Sequence, residues 1–224
     1  MLSKFIIVEG PDFCGKSTQI ELLYLNTILT RTLGEHVYFT REPGSLLPLS
    51  SNECENIRKQ ILENNNSIID EINLFAQSRY IHTLEIVKLL QEQNATIISD
   101  RYIISSLAYQ GYAQNAGRDT IYDFNMPTLN LLQDNNIPIH CIKFNISKEE
   151  WDLRRLKRLE QEGADSIEQK DIHREVLEFY SEDSIFNHFT KKLNQLHVYN
   201  IDAGREMYKV YADFLETVVS IVNN

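Results

Sequence analysis

The sequence predicts an α/β fold built on a parallel β-sheet, and three observations carry that expectation. Short apolar, β-rich runs recur along the chain, longer segments with helical apolar spacing separate them, and the first run leads straight into a glycine loop followed by a helical pattern. The runs are Phe5 to Val8, Val37 to Phe39, Thr96 to Ser99, Ile139 to Phe144 and Val198 to Ile201. Near-continuous apolar character is what a strand covered on both faces requires, so a five-stranded parallel sheet flanked by helices is expected.

Among the helical segments the last is the clearest. After the turn residue Gly204, the residues Met207, Val210, Tyr211, Phe214, Leu215, Val218 and Val222 fall on one face at spacings of three and four. Asn64 to Asn66 reads as a polar break between two helices, and Gly111 to Arg118 as a surface loop. Residues 147–182 alternate in charge along a helical pattern interrupted near Gly163, which suggests a solvated helical hairpin. No internal repeat and no convincing boundary divides the chain, so residues 1–224 are read as one domain.

Bulk composition narrows the function. The chain is 42% hydrophobic and 24% charged with a formal net charge of −10, an ordinary folded composition without the cationic surplus of a general nucleic-acid binder. The opening MLSKFIIVEG is unlike a signal peptide and no apolar run is long enough to span a bilayer, so a cytoplasmic protein without a membrane partner is expected. Cys14, Cys54 and Cys141 contain no C-x-x-C pair and suit reduced thiols, and the six histidines lack metal-ligand spacing.

The glycine loop is the strongest signal. Gly10-Pro11-Asp12-Phe13-Cys14-Gly15-Lys16-Ser17 matches G-x-x-x-x-G-K-S/T, after an apolar strand and before a helix, which is the context of a P-loop NTPase fold. Backbone N–H groups of such a loop curl around a triphosphate, and the helix that follows points its positive end at the same place. ATP contacts are therefore expected from Gly10, Asp12, Phe13, Cys14, Gly15, Lys16, Ser17 and Thr18. Lys16 should reach the β- and γ-phosphates, and Ser17 should offer its hydroxyl to Mg²⁺. Asp100, at the end of the third apolar run, has the position of a second Mg²⁺ ligand. Neither an Asn-Lys-x-Asp guanine reader nor an LSGGQ signature occurs, so small kinases remain.

Asp12 is unusual, because an anion inside a phosphate-binding loop repels its ligand unless the carboxylate turns toward a sugar hydroxyl or an arginine. A carboxylate capping its own loop is the plainer alternative. If the acceptor is itself a phosphate, no strong base is required, and cations around both phosphates carry the catalysis. Arg41 and Arg101 stand at the ends of the second and third strands, where ligands sit on a parallel sheet. That pair disfavours a free nucleoside as acceptor.

Together, EGPDFCGKST, TREPG, LFAQSR and DRYIISSLAYQG, in this order along nearly the whole chain, resemble the thymidylate kinase family. The resemblance implies transfer of the γ-phosphate of ATP to dTMP, in a nucleoside monophosphate kinase domain with a mobile helical lid at roughly residues 150–170. It implies that Asp12 approaches the 3′-hydroxyl of dTMP, that Arg41 and Arg101 hold its phosphate, and that Phe75 stacks on thymine. Arg79 would contact a thymine carbonyl, Ser105 and Gln110 the base edge, and Tyr109 the sugar where a ribose has its extra hydroxyl. Read from spacing alone, Phe75 is a core residue, Arg79 a helix-surface residue and Ser105 a loop residue.

Family members supply an auxiliary arginine either from the P-loop or from the lid. Phe13 and Cys14 leave this loop without one, so the chain is similar to the lid-arginine, bacterial type, with Arg154 or Arg158 as the catalytic donor. It departs from the family at Asp165-Ser166-Ile167-Glu168, where Asp-Arg-x-Glu is common, at Phe144-Asn145 in place of Leu-Asp, and at TREPGS in place of TREPGG. Family members are commonly homodimers, and apolar helical faces around 68–90 and 120–132 suit such a contact. A kinase of another nucleoside monophosphate and a silent nucleotide-binding protein are the alternative readings.

Overall fold

The computed structural model describes residues 3–31, 33–34, 36–63, 66–162 and 172–223. In chain order the elements are β1 (Lys4–Glu9), α1 (Lys16–Thr30), β2 (Val37–Arg41), α2 (Ser51–Glu63), α3 (Ile68–Gln93), β3 (Thr96–Asp100) and α4 (Ile103–Ser106). A π-helical turn (Leu107–Ala113) continues α4, and then come α5 (Arg118–Asp134), β4 (Ile139–Asn145), α6 (Lys148–Glu162), α7 (His173–Ser181), α8 (Asp183–Thr190), β5 (Leu196–Asp202) and α9 (Met207–Asn223). Each of the five expected strand runs lies inside an observed strand.

The sheet has the order β2-β3-β1-β4-β5 and every neighbouring pair is parallel. β1 lies in the middle, and Phe5, Ile6, Ile7 and Val8 are at most 1% exposed. Successive side chains of a strand point to opposite faces, so this run divides between two cores. Phe5 and Ile7 join Ile97, Tyr102, Leu107 and Ile139 on one face, while Ile6 and Val8 join Leu23, Ile98, Phe144 and Phe214 on the other. Burying each of these side chains contributes about 1.5–3 kcal/mol.

α3 is the longest helix and carries several side chains toward the C-terminal ends of the strands. Ser67 caps it, with its hydroxyl accepting from the Asp70 backbone N–H at 3.2 Å, and Asp70 and Glu71 place negative charge in its first turn. Asn94 ends it in a left-handed conformation.

The fold corrects three details of the sequence reading. Gly111 is buried within the π-helical turn, not in a surface loop, and a Cβ there would meet Ile121 at 3.2 Å, so its lack of a side chain lets α5 approach. The charged region is solvated only in part. α7 buries Val176, Leu177, Phe179 and Tyr180, because its charges occupy one face and its apolar residues the other. On α9, Met207 is exposed and Ile221 joins Val210, Phe214, Val218 and Val222 in the core. The interruption near Gly163, the segment Asp165-Ser166-Ile167-Glu168 and two residues of the break at 64–66 lie outside the described residues. Among the described residues no helix is long and apolar enough to cross a membrane.

At the β4–β5 pair, His140 is buried against His197, with ring centroids 5.1 Å apart, and its Nδ1 lies 3.2 Å from the Tyr199 hydroxyl. Burial, helped by Lys4 and His197, pushes the imidazole down to about 4. The unfolded chain therefore binds this proton first, and stability is lost as pH falls from about 6.5 toward 4. Between pH 7 and pH 5 this site should cost about 2 kcal/mol. Urea unfolding of the wild type and His140→Gln at both pH values checks it: the variant should lose less stability on acidification by about that amount.

Candidate active site

The first part of the site is the loop between β1 and α1. Gly10 has φ 154° and a Cβ there would meet the Phe144 carbonyl oxygen at 2.9 Å, so the loop leaves β1 pressed against β4. Gly15 has φ 91° and starts α1, whose first N–H groups receive no side-chain cap. Phe13 adopts φ 64°, a left-handed conformation that costs about 1–2 kcal/mol for a residue with a Cβ. Edge-on contacts with Trp151 and His173, at centroid distances of 5.9 and 5.8 Å, hold it there. Lys16 is buried and its Nζ donates to the Pro11 carbonyl at 3.4 Å. Cys14 is buried, and its Sγ lies beside the space that a Cβ on Gly10 would enter.

A cavity of about 400 Å³ opens over this loop, with Lys16, Ser17 and Thr18 on one side and Arg154, Lys157 and Arg158 of α6 on the other. Arg154 bridges the two sides: its guanidinium donates to the Cys14 carbonyl at 3.1 Å and to Glu150 at 2.7 Å. The arginines expected from the lid thus face the loop that lacks one. Below them, the Ser17 hydroxyl donates to Asp100 Oδ2 at 3.2 Å, while the buried Oδ1 has no partner among the described residues.

A second cavity of about 360 Å³ adjoins the first and shares Asp12, Ser17 and Arg101 with it. Its walls add Arg41, Phe75, Arg79, Ser105, Tyr109 and Gln110, which with Asp12 and Arg101 make up the set expected for the acceptor. Phe75 is half-buried and lines this cavity, whereas its spacing reads as core. Gln110 donates to Glu71 at 2.7 Å and its buried Oε1 has no partner among the described residues. Arg41 donates from Nη2 to both oxygens of Glu55, at 3.2 and 3.1 Å.

Asp12 sits at the junction. Arg101 pairs with its Oδ1, the Tyr109 hydroxyl donates to Oδ2 at 2.6 Å, and His173 Nδ1 lies 3.4 Å from Oδ2. Burial opposes the charge, yet Arg101, His173, Lys16 and Tyr109 outweigh it and hold the carboxyl well below the usual carboxylate range. The arginine alternative, not a loop cap, is the observed answer to an anion in this loop. Arg101 itself has φ 68° and also donates to the Gly10 carbonyl at 3.2 Å and to Ser105 at 3.0 Å.

Two expectations change. Arg79 is not a surface residue: it is 1% exposed, with Nε on Glu42 at 2.7 Å, Nη1 on Asn125 at 2.7 Å and Nη2 on Ser106 at 2.9 Å. A face reading of α3 fails there because Glu42, supplied by the loop after β2, supports a charge inside. Ser105 belongs to α4, not to a loop, and its hydroxyl donates to Glu9 at 2.8 Å.

Several contributors escaped the sequence reading. Glu9 is fully buried and accepts from the Tyr102 backbone N–H at 2.7 Å and from the Ser105 and Tyr180 hydroxyls at 2.8 Å; burial raises its pKa against the pull of Arg101 and these donors. Arg58 lines the acceptor cavity and donates to the Pro43 carbonyl at 2.8 Å. Trp151 donates from Nε1 to the Asp12 carbonyl at 2.7 Å. The only advance signal was position: Glu9 directly precedes Gly10, and Trp151 and His173 lie in the charged region already singled out.

A phosphate loop between a central parallel strand and its helix, with a second polar cavity opening onto the same loop, defines a P-loop phosphotransferase. Comparison with known proteins names the family. The thymidylate kinase profile matches residues 8–198, and the chain belongs to that family. It is 30% identical over 228 residues to the thymidylate kinase of Pediococcus pentosaceus, covering 100% of both chains. With the thymidylate kinase of Limosilactobacillus fermentum it shares 31% identity over 221 residues, 95% of this chain and 93% of the relative. The crystal structure of the thymidylate kinase from Ehrlichia chaffeensis, 24% identical, superposes with a TM-score of 0.59 over 97% of this chain and 99% of its own, which shows the common fold.

The Arg79–Glu42 pair is a buried charge pair, and removing one partner leaves the other charge without compensation. Glu42→Ala should destabilise the fold by about 3–5 kcal/mol. Equilibrium urea unfolding checks it, and loss of less than about 1 kcal/mol would contradict a buried, charged Arg79.

Proposed function

We propose that the site transfers the γ-phosphate of ATP to dTMP, forming ADP and dTDP, within a single nucleoside monophosphate kinase domain whose lid begins with α6. The observation that carries this reading is the sharing of Asp12, Ser17 and Arg101 by the two cavities, which brings donor and acceptor phosphates to one point. An oxygen of the dTMP phosphate attacks the γ-phosphorus as the bond to the β-phosphate oxygen breaks. That oxygen is already ionised near neutral pH, so no general base is assigned.

The loop N–H groups from Gly10 to Thr18 and Lys16 cradle the donor. Arg41 and Arg101 bind the acceptor phosphate, and Arg154 and Arg158 offset the charge on the transferred group from the lid side. Asp12 accepts from the 3′-hydroxyl of the acceptor, and Tyr109, fixed on Asp12, crowds the 2′ position. Phe75 offers a face to thymine, while Arg79 and the open Oε1 of Gln110 meet its polar edge. The open Oδ1 of Asp100 beside the Ser17 hydroxyl suits Mg²⁺, which would neutralise phosphate charge when bound.

A homodimer is supported by an exposed apolar face on α3, formed by Ile69, Tyr80 and Leu84, beside Met126 of α5. Three free, buried thiols and consumption of ATP support a cytoplasmic location.

ADP release measured with dTMP, dUMP, dGMP, CMP and thymidine tests the assignment: dTMP should give the fastest turnover, and no turnover with any acceptor would overturn it in favour of a silent nucleotide-binding protein. Arg158→Ala should lower kcat at least tenfold with little change in KM for dTMP, since a contact made in the transition state is removed. Unchanged kcat would return the role to Arg154. In light scattering, Leu84→Glu should halve the mass of a dimeric wild type.

A further inference from the structure

We propose that His173 is a positioning residue for acceptor recognition, which orients the Asp12 carboxylate toward the 3′-hydroxyl of the nucleotide sugar. The proposal rests on the role given to Asp12 above and adds the device that sets it.

His173 opens α7 and is 3% exposed, so its place is packed and not incidental. Its Nδ1 lies 3.4 Å from Asp12 Oδ2, the oxygen that also accepts from Tyr109. Arg101 occupies the other oxygen. Arg101 from the end of β3 and Tyr109 from the π-helical turn thus donate to the carboxylate, and from α7 the His173 Nδ1 approaches the oxygen that Tyr109 holds. Of these, Arg101 and Tyr109 border the acceptor cavity and have further work there; His173 does not line either cavity. The imidazole meets the site through residues that line the cavities, with its ring edge-on to Phe13 and Tyr109 and a ring nitrogen facing the Asp12 carboxylate.

Aromatic packing fixes the imidazole. Its ring stands edge-on to Phe13 at 5.8 Å and to Tyr109 at 6.5 Å, contacts that limit how the buried ring can turn. Phe13 meets Trp151 in the same way, and Trp151 donates to the Asp12 main-chain carbonyl. The helices α6 and α7 therefore grip one residue of the phosphate loop from two sides: α6 holds its backbone and α7 its side chain. A carboxylate restrained at both levels loses less freedom when it accepts a hydroxyl.

The test compares dTMP with its 3′-deoxy analogue, 2′,3′-dideoxythymidine monophosphate, in the full-length enzyme. The wild type should prefer dTMP, in kcat/KM, by at least tenfold. His173→Ala should cut that preference about fivefold through a higher KM for dTMP, with kcat for the 3′-deoxy analogue and KM for ATP unchanged. His173→Asn, which keeps an N–H near the Nδ1 position, should restore most of it. Equal losses with both acceptors, or an unchanged preference, would overturn the proposal and leave His173 a packing residue. Asp12→Ala separates the underlying reading: it should abolish the preference, and adding His173→Ala should then change nothing further. A preference that survives Asp12→Ala would refute the 3′-hydroxyl role itself, and a His173 effect that persists in that background would show that the imidazole acts by another route.

Discussion

An anionic side chain inside a loop built to bind anions raises the energy of both states unless something neutralises it. Two like charges 4 Å apart repel by about 4 kcal/mol at the effective dielectric of a protein surface. Arg101 removes that penalty by pairing with Asp12, and much of the site follows from the pair. To reach Asp12 from the end of β3, Arg101 takes a left-handed backbone conformation, which directs its guanidinium across β1 to the loop. Held there, it also donates to Gly10 and Ser105, so one cation ties the donor loop to the helix that carries the acceptor wall.

The sheet is what allows this reach. β1 and β3 are paired in register from Lys4 with Thr96 to Val8 with Asp100, so the loop after one strand and the arginine after the other emerge side by side. β2 pairs with β3 so that Arg41 lies beside Asp100, and a third cation arrives at the same edge. Parallel pairing places every strand's functional terminus at one end of the molecule, while the helices cover both faces and exclude water from the strands.

The parts of this arrangement that were legible in sequence are those written in short, contiguous patterns. The five apolar runs gave strands because a doubly covered strand has no polar alternation to hide it, and the phosphate loop was readable because its glycines, Lys16 and Ser17 are adjacent in the chain. Arg41 and Arg101 were readable because a strand end is a local feature. What could not be read was burial of charge through distant partners. Nothing around Arg79 announces that Glu42, Asn125 and Ser106, from three other segments, will satisfy it inside the fold. Gly111 reads as the start of a surface loop because its close neighbour, Ile121, becomes a neighbour only once α5 packs. Likewise α7 looked solvated because a helix with one buried face and one charged face has the same composition as a polar helix.

The acids at the strand ends share a logic that no single motif displays. Glu9 closes β1 and gathers a backbone N–H, Ser105 and Tyr180; Glu42 follows β2 and gathers Arg79 and His82; Asp100 closes β3 and takes Ser17. Glu42 and Asp100 each stand next to an arginine that lines the acceptor cavity, and Glu9 stands next to Gly10 of the phosphate loop. A site designed to gather negative phosphates needs positive side chains held in place before the phosphates arrive, and cations brought together without counter-charges would repel one another. The carboxylates keep the cations close while the site is empty. Where both carboxylate oxygens have partners, as in Glu9 and Glu42, the acid serves as permanent scaffolding; where one oxygen has none among the described residues, as in Asp100, it can still take a ligand. The number of free lone pairs on each acid therefore separates the structural anions of this site from the one suited to a metal ion.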